Sequence, residues 1–341
     1  MIKKVRVENA IGKRLCHDLT KIIPGKFKGV GFKRGHIIKE DDVIELLKMG
    51  KSHIYVLELE EGEIHEEDAA KRIALAISGN NLELTDPKEG KVNIKAKIDG
   101  LLKIKPDILE MVNSIEDISV ATLHNNYPCE KGKIVAGIRI IPLFIEDLKI
   151  RKIEEICEKN GKFINILPFR EKKIGIVVTG TEIFNGLIKD KSADIVEAKI
   201  KKYGSYCIDR IVVPDDINLI KDAIFKLREE KAQVIILTGG MSVDPDDVTK
   251  EGVKASGANI ISYGAPVHPG SMFLYALFRN IPILGLPACV VHDDTTIFDF
   301  ILPRILSDDI IERSDIIKLG HGGLCLKCPA CNFPICPFGK G

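Results

Sequence analysis

Apolar residues follow two different rhythms along this chain, and the change between them falls near residue 170. From Glu171 to about Asp309, the runs Ile174-Gly-Ile-Val-Val178, Val234–Leu237 and Ile281–Leu286 are almost uninterrupted, as strands covered on both faces require. Between such runs the apolar positions recur at helical spacing. Val196, Ile200 and Tyr203 mark one stripe over Ser192–Tyr203, which Gly204 stops. Ile217, Ile220, Ile224 and Leu227 mark a second, with Asp216 as its N-cap. Tyr206–Val213 predicts another strand and Thr295–Leu306 another helix. Strand, loop and helix in repeated alternation predict a doubly wound α/β sheet.

The pattern before Arg170 is shorter in period and mixed. Helices are predicted at Asp41–Met49, stopped by Gly50, and at Glu66–Ile77, stopped by Gly79. Strands are predicted at His53–Leu59, Val92–Ile98, Ile118–Leu123 and Lys133–Ile141, with tight turns at Gly100 and Gly132. This reads as a strand-rich α+β domain, partly barrel-like. Lys149–Lys162 reads as a connecting helix with Ile153, Ile156 and Cys157 on one face. The expected division is an N-terminal α+β domain over residues 1–170, an α/β domain over 171–310 and a cysteine-rich tail over 318–341.

Composition narrows the function classes. A chain of 341 residues that is 45% apolar can bury a substantial core. Its 50 Lys+Arg against 49 Asp+Glu leave a net charge of +1, so no nucleic-acid or membrane-surface partner is expected. No run approaches the ~20 apolar residues that span a bilayer, and the opening MIKKVRVENAIGKRLCHDL lacks the apolar core of a signal peptide. A cytoplasmic protein is expected. Nine cysteines, five of them scattered singly, do not form a disulfide framework and fit a reducing compartment.

In an open α/β sheet, ligands sit at the carboxyl ends of the strands, so the loops after strands carry the chemistry. Thr179-Gly180-Thr181-Glu182 offers a glycine for close backbone approach and a helix start with free N–H groups. Taken alone it reads as a turn. Thr238-Gly239-Gly240-Met241-Ser242 adds paired glycines whose amides can wrap an anion, and two neutral donors. Asp244, Asp246 and Asp247 follow within four residues. They would repel an anionic ligand unless a divalent cation bridged them to it; the plainer alternative is an acidic turn with Asp247 capping the next helix. His268-Pro269-Gly270-Ser271 and Gly285-Leu-Pro287 close the later strands, and His292-Asp293-Asp294 reads as the cap of the last helix.

Together these loops resemble the molybdopterin-binding domain of MoeA- and MogA-type molybdenum-cofactor biosynthesis proteins. The resemblance spans about Lys172–Asp309. Asp247-Val-Thr249 is similar to the MogA-type adenylyltransferase loop, whereas Gly-Gly-Met-Ser-Val243 and the large N-terminal domain are closer to the MoeA-type molybdotransferase. Three departures stand out. Asp244-Pro-Asp-Asp247 keeps one carboxylate in register with the MoeA-type Gly-Asp-Tyr-Asp. Ser271 replaces a lysine, and Ala288-Cys289-Val290 replaces Gly-Asn-Pro.

The resemblance implies an enzyme, a molybdopterin molybdotransferase that binds molybdopterin or its adenylylated form and inserts molybdate. Phosphate and pterin contacts would come from Gly180, Thr181, Glu182, Thr238, Gly239, Gly240, Met241, Ser242, Pro269, Gly270, Ser271 and Pro287. Asp247 would organise Mg²⁺, with Asp246 and Asp244 behind it. A homodimer is implied as well. Two alternatives stay open: a molybdopterin adenylyltransferase using a nucleotide, and a carrier that hands cofactor to a client molybdenum enzyme.

The tail is a separate expectation. Cys325-x₂-Cys328-x₂-Cys331-x₄-Cys336-Pro337 places four thiols where Pro329, Pro334 and Pro337 preclude a continuous helix. The spacing resembles a ferredoxin-type run with its final gap one residue longer, favouring a [4Fe–4S] cluster, with a Cys₄ Zn²⁺ site as the alternative. A chain of free thiols is the plain alternative to both.

Overall fold

The computed structural model describes residues 2–23, 27–57, 61–242 and 244–340. In the N-terminal half, helices form at Glu40–Lys48 and Glu66–Ile77, where the apolar spacing predicts them. The second opens on Glu66, Glu67 and Asp68, whose charges favour a helix N-terminus, and buries Ala69, Ala70, Ile73, Ala74 and Ile77. Strands at Lys91–Ala96, Ile118–Thr122 and Ile134–Ile140 share one antiparallel sheet with Leu82–Leu84. The strand expected at His53–Leu59 runs His53–Leu57; Glu58 and Leu59 lie outside the described residues.

The strands before residue 170 sort into several small sheets instead of one barrel. Their buried side chains gather in two cores, one from Val7 to Val56 and one from Ala69 to Ile166. The helix expected as a connector, observed at Asp147–Asn160, belongs to the second core. It buries Ile150, Ile153 and Cys157 and is clamped to the Glu66–Ile77 helix by Arg72, which bonds Glu154 at 2.7 Å and Asp147 at 2.5 Å.

The C-terminal half is built on a six-stranded sheet. Its strands are β1 (Lys173–Thr179), β2 (Tyr206–Val213), β3 (Val234–Thr238), β4 (Asn259–Tyr263), β5 (Leu274–Phe278) and β6 (Ile281–Leu286). The order is β2-β1-β3-β6-β5-β4. The first four run parallel, and β5 and β4 add an antiparallel flank. Every residue of β3 is buried, which is why its sequence shows no polar alternation.

Helices α1 (Thr181–Phe184), α2 (Ser192–Lys201), α3 (Ile217–Glu229), α4 (Thr249–Ala255), α5 (Cys289–His292), α6 (Ile297–Leu306) and α7 (Arg313–Lys318) connect and cover the strands. Asp216 caps α3 as expected, accepting from the amides of Asn218 at 2.8 Å and Leu219 at 2.9 Å. The cap of α6 is not His292-Asp293-Asp294. Thr296 fills that role, in a reciprocal box with Asp299, because its short hydroxyl reaches the Phe298 amide at 3.2 Å. Asp294 instead gives its carbonyl to Lys199 Nζ at 2.8 Å. Among the described residues no helix is long and apolar enough to cross a membrane.

Candidate functional site

Strand β1 has β2 on one side and β3 on the other, so the chain changes lateral direction between them. In open α/β sheets it is outside the carboxyl ends of the strands at such a switch point that ligands bind. Register aligns the strand ends: Val178 pairs with Thr238, and Thr238 with Leu286. Gly180, Thr181, Thr238, Gly239, Gly240 and Pro287 therefore come together at one edge of the sheet.

Buried hydroxyls sew this edge together. Thr179 Oγ1 lies 2.9 Å from Thr249 Oγ1 and donates toward the Thr238 carbonyl at 3.2 Å. The Thr249 hydroxyl donates to the Gly239 carbonyl at 3.1 Å, and Ser192 Oγ donates to Thr238 Oγ1 at 2.8 Å. Gly239 and Gly240 have φ of +89° and +55°, inside the left-handed region. A Cβ on Gly239 would sit 2.1 Å from the Thr179 carbonyl oxygen, and one on Gly240 would sit 2.3 Å from Thr249 Oγ1. Only glycine fits: Gly239 is laid against the Thr179 backbone and Gly240 against the Thr249 and Thr179 hydroxyls.

The acidic residues are organised by the same loop. Asp247 accepts the Ser242 amide at 2.7 Å and the Ser242 hydroxyl on the same oxygen. It does not cap α4, whose N-cap position is Val248 and carries no side-chain bond. Asp244 is bound up in the turn, its carboxylate accepting the Asp246 amide at 3.1 Å and its carbonyl the Asp247 amide at 3.0 Å. Among the described residues no three His, Cys, Asp or Glu side chains converge on one ion-sized point. Val243 lies outside the described residues.

The other expected contacts divide between surface and core. Glu182 is exposed, whereas Met241 is buried against β6, where a Cβ on Gly285 would come 2.9 Å from its sulfur. Gly270 backs onto α6 so closely that a Cβ would lie 2.9 Å from the Ile297 nitrogen. Ser271 hands its carbonyl to the Ala265 amide at 2.9 Å. Cys289 stands where the resembled family has a polar loop. Burial, reinforced by the Asp293 charge, pushes its thiol up, away from the reactive thiolate form.

The sequence places Thr179 in a candidate loop without its hydroxyl partners, and does not single out Ser192 or Asp215 for the site. Asp215 Oδ2 accepts both the Thr181 amide at 2.8 Å and its hydroxyl at 3.1 Å. Its Oδ1 is buried with no partner among the described residues. The available signal was the Pro214-Asp215-Asp216 punctuation, where Asp216 alone drew attention as a cap.

This arrangement is that of an α/β domain whose paired-glycine loop stands at the switch point of its sheet. Residues 175–307 match the family described as a probable molybdopterin binding domain. Residues 4–58 match a domain of unknown function, DUF8806.

A Methanocaldococcus jannaschii protein named for molybdopterin biosynthesis is 31% identical over 199 residues, 51% of this chain and 50% of its own. A Haemophilus influenzae molybdopterin molybdenumtransferase is 26% identical over 144 residues, 40% of this chain and 35% of its own. A competence-damage inducible protein of Oceanobacillus iheyensis is 35% identical over 77 residues, 23% of this chain and 18% of its own. The chain thus spans half or less of the length of these relatives.

Proposed function

We propose that the cleft binds molybdopterin, free or adenylylated, and that the protein inserts molybdate into it as a molybdopterin molybdotransferase. The observation that carries this is the Gly239-Gly240 loop at the switch point, where both glycines take left-handed backbone and neither position admits a Cβ. The phosphate of the ligand lies against the Gly239 and Gly240 backbone, Ser242 and the Gly180-Thr181 turn. Met241 supports the loop from inside the core. Pro269, Gly270, Ser271 and Pro287 close the far wall, and Glu182 stands at the exposed rim.

Asp247 is one carboxylate beside a phosphate site, the kind of donor set that holds Mg²⁺ together with substrate oxygens and water. Bound there, Mg²⁺ supplies charge neutralisation at the phosphate. Asp244 and Asp246 shape the turn that presents Asp247. The matched segment shared with the H. influenzae transferase supports molybdate insertion, as does the extensive region ahead of residue 170. In this reading the protein works as a homodimer in the cytoplasm and delivers its product to a molybdenum enzyme.

The nucleotidyl-transfer reading draws on one contact, the Thr249 hydroxyl of Asp-Asp-Val-Thr fastened to the Gly239 carbonyl. One experiment separates the two. The protein is incubated with molybdopterin, Mg²⁺ and either molybdate or ATP, and molybdenum-loaded and adenylylated pterin are quantified. Molybdenum incorporation without ATP consumption is expected; adenylylation of free molybdopterin would replace the transferase assignment. Tight cofactor binding with neither product would assign a carrier.

A further inference from the structure

We propose that Cys325, Cys328, Cys331 and Cys336 ligate a [4Fe–4S] cluster in a cavity between the C-terminal segment and the molybdopterin-binding domain. All four cysteines line one cavity of about 200 Å³, walled on the domain side by the Asp293–Thr295 turn and on the tail side by Phe333 and Phe338. The proposal stands independently of what the pterin cleft does.

The cavity belongs to a fastened structure. The Cys325 amide donates to the His268 carbonyl at 2.8 Å, and the His268 amide to the Gly323 carbonyl at 2.7 Å, so the segment leading into the cysteines is laid alongside the domain. At the other end Phe338 is buried in the domain core, its ring 4.9 Å from that of Phe300. Between these anchors no helix or strand forms among the described residues, yet all four cysteines line the same cavity. No three of them meet on one ion-sized point, so the ligand that accounts for the shared cavity is larger than a single ion, and its ligation would contribute directly to folding.

The chemistry selects the ligand. Thiolate sets take zinc or iron–sulfur clusters. A structural zinc draws its four sulfurs to about 2.3 Å from a single centre. The void here far exceeds the roughly 10–15 Å³ that admits one water, and so has room for a core of several atoms. The Cys-x₂-Cys-x₂-Cys spacing is that of cluster-binding runs, with the gap before Cys-Pro one residue longer than in those runs, whose fourth cysteine can serve a second cluster. Here Cys336 lines the same cavity as the other three.

Polar groups already address two of the sulfurs. The Lys327 amide donates to Cys325 Sγ at 3.4 Å, and Thr295 Oγ1 lies 3.2 Å from Cys331 Sγ. Hydrogen bonds to sulfur are one means by which a protein sets a cluster's potential. On ligation each thiol releases its proton to solvent and its sulfur donates a lone pair to one iron.

The test uses the full chain prepared without oxygen, both as isolated and after incubation with ferrous iron, ferric iron and sulfide. Iron, acid-labile sulfide and zinc are measured, with electron paramagnetic resonance after dithionite reduction. Four iron and four sulfide per chain, a reducible cluster signal, and protection of the four tail thiols from alkylation are expected. Cys328→Ser and Cys331→Ser lose the signal while circular dichroism of the sheet is retained. Stoichiometric zinc that iron does not replace overturns the proposal, as does iron-free protein with four alkylatable tail thiols after reconstitution. The alkylation result on the unaltered chain decides the matter even where a serine variant fails to fold.

Discussion

Ser242 is joined to Asp247 twice, its amide donating to Asp247 Oδ2 at 2.7 Å and its hydroxyl donating to the same oxygen. Both bonds are made to a charged acceptor, the Asp247 carboxylate. Asp247→Asn keeps size and one acceptor but removes that charge. The loop should survive, at a cost of about 1 kcal/mol for exchanging a charged acceptor for a neutral one. Mg²⁺ affinity should fall by at least on the order of 10–100-fold. Calorimetric Mg²⁺ titration in the presence of ligand checks this, and an unchanged affinity removes Asp247 from the metal site.

Gly240 and Gly257 separate two costs of replacing glycine. Both lie in the left-handed region, at φ +55° and +84°, but nothing lies within 4 Å of a Cβ on Gly257. Gly257→Ala should cost about 1 kcal/mol of backbone strain. Gly240→Ala should cost about 2–5 kcal/mol, since it adds a collision with Thr249 Oγ1 to the strain. Urea midpoints of the two variants give the comparison. Equal losses would mean that the loop relaxes freely and is no close-packed cradle.

Thr249 holds the paired-glycine loop to β1. Thr249→Val leaves the Gly239 carbonyl without its donor and takes a partner from the buried Thr179 hydroxyl, at a cost of about 1–3 kcal/mol. Thr249→Ser retains both bonds and should recover most of that loss. If valine and serine behave alike in thermal unfolding, the hydroxyl network does not hold the loop.

Alkaline stability carries the signature of Cys129. Burial pushes its thiol up to about 12, whereas an unfolded thiol titrates near 8.5. Above the unfolded value the unfolded chain releases a proton that the folded chain keeps. Stability is therefore fully present below about pH 8.5 and falls by up to ~1.4 kcal/mol per pH unit toward pH 12. Cys207, raised to about 11, and Tyr203, raised to about 12, contribute in the same direction. Cys129→Ala should flatten the slope of unfolding free energy against pH by one group's share. An unaltered slope would show that the thiol is already solvated in the folded state.

The parts of this fold that announce themselves in sequence are those whose neighbours are all of one kind. β1, β3 and β6 are apolar over most of their length because both faces of the sheet are covered, and α3 shows its stripe and its Asp216 cap. β4 escapes notice because it is an edge strand whose Asn259 and Tyr263 are exposed. The cleft was half legible. Paired glycines mark the loop, but the Thr179–Thr249 bond spans 70 residues and the Asp215–Thr181 bond 34. No local pattern encodes such partners. The cysteine spacing is visible in the chain, whereas the Thr295 and Asp293 wall facing it exists only once α6 and the tail are packed.

The burial of Phe338 also makes the cysteine-bearing segment a part of the domain's core. Phe300 on α6 meets Phe333 and Phe338, with ring centroids 5.2 and 4.9 Å away, and Gly339 lies so near that a Cβ would come 2.3 Å from the Phe300 ring. A proteolytic cut between Cys325 and Phe333 would therefore bare the Phe300 side of α6, and trimming a segment with no helix or strand of its own would leave an apolar surface open to chaperones and to other chains.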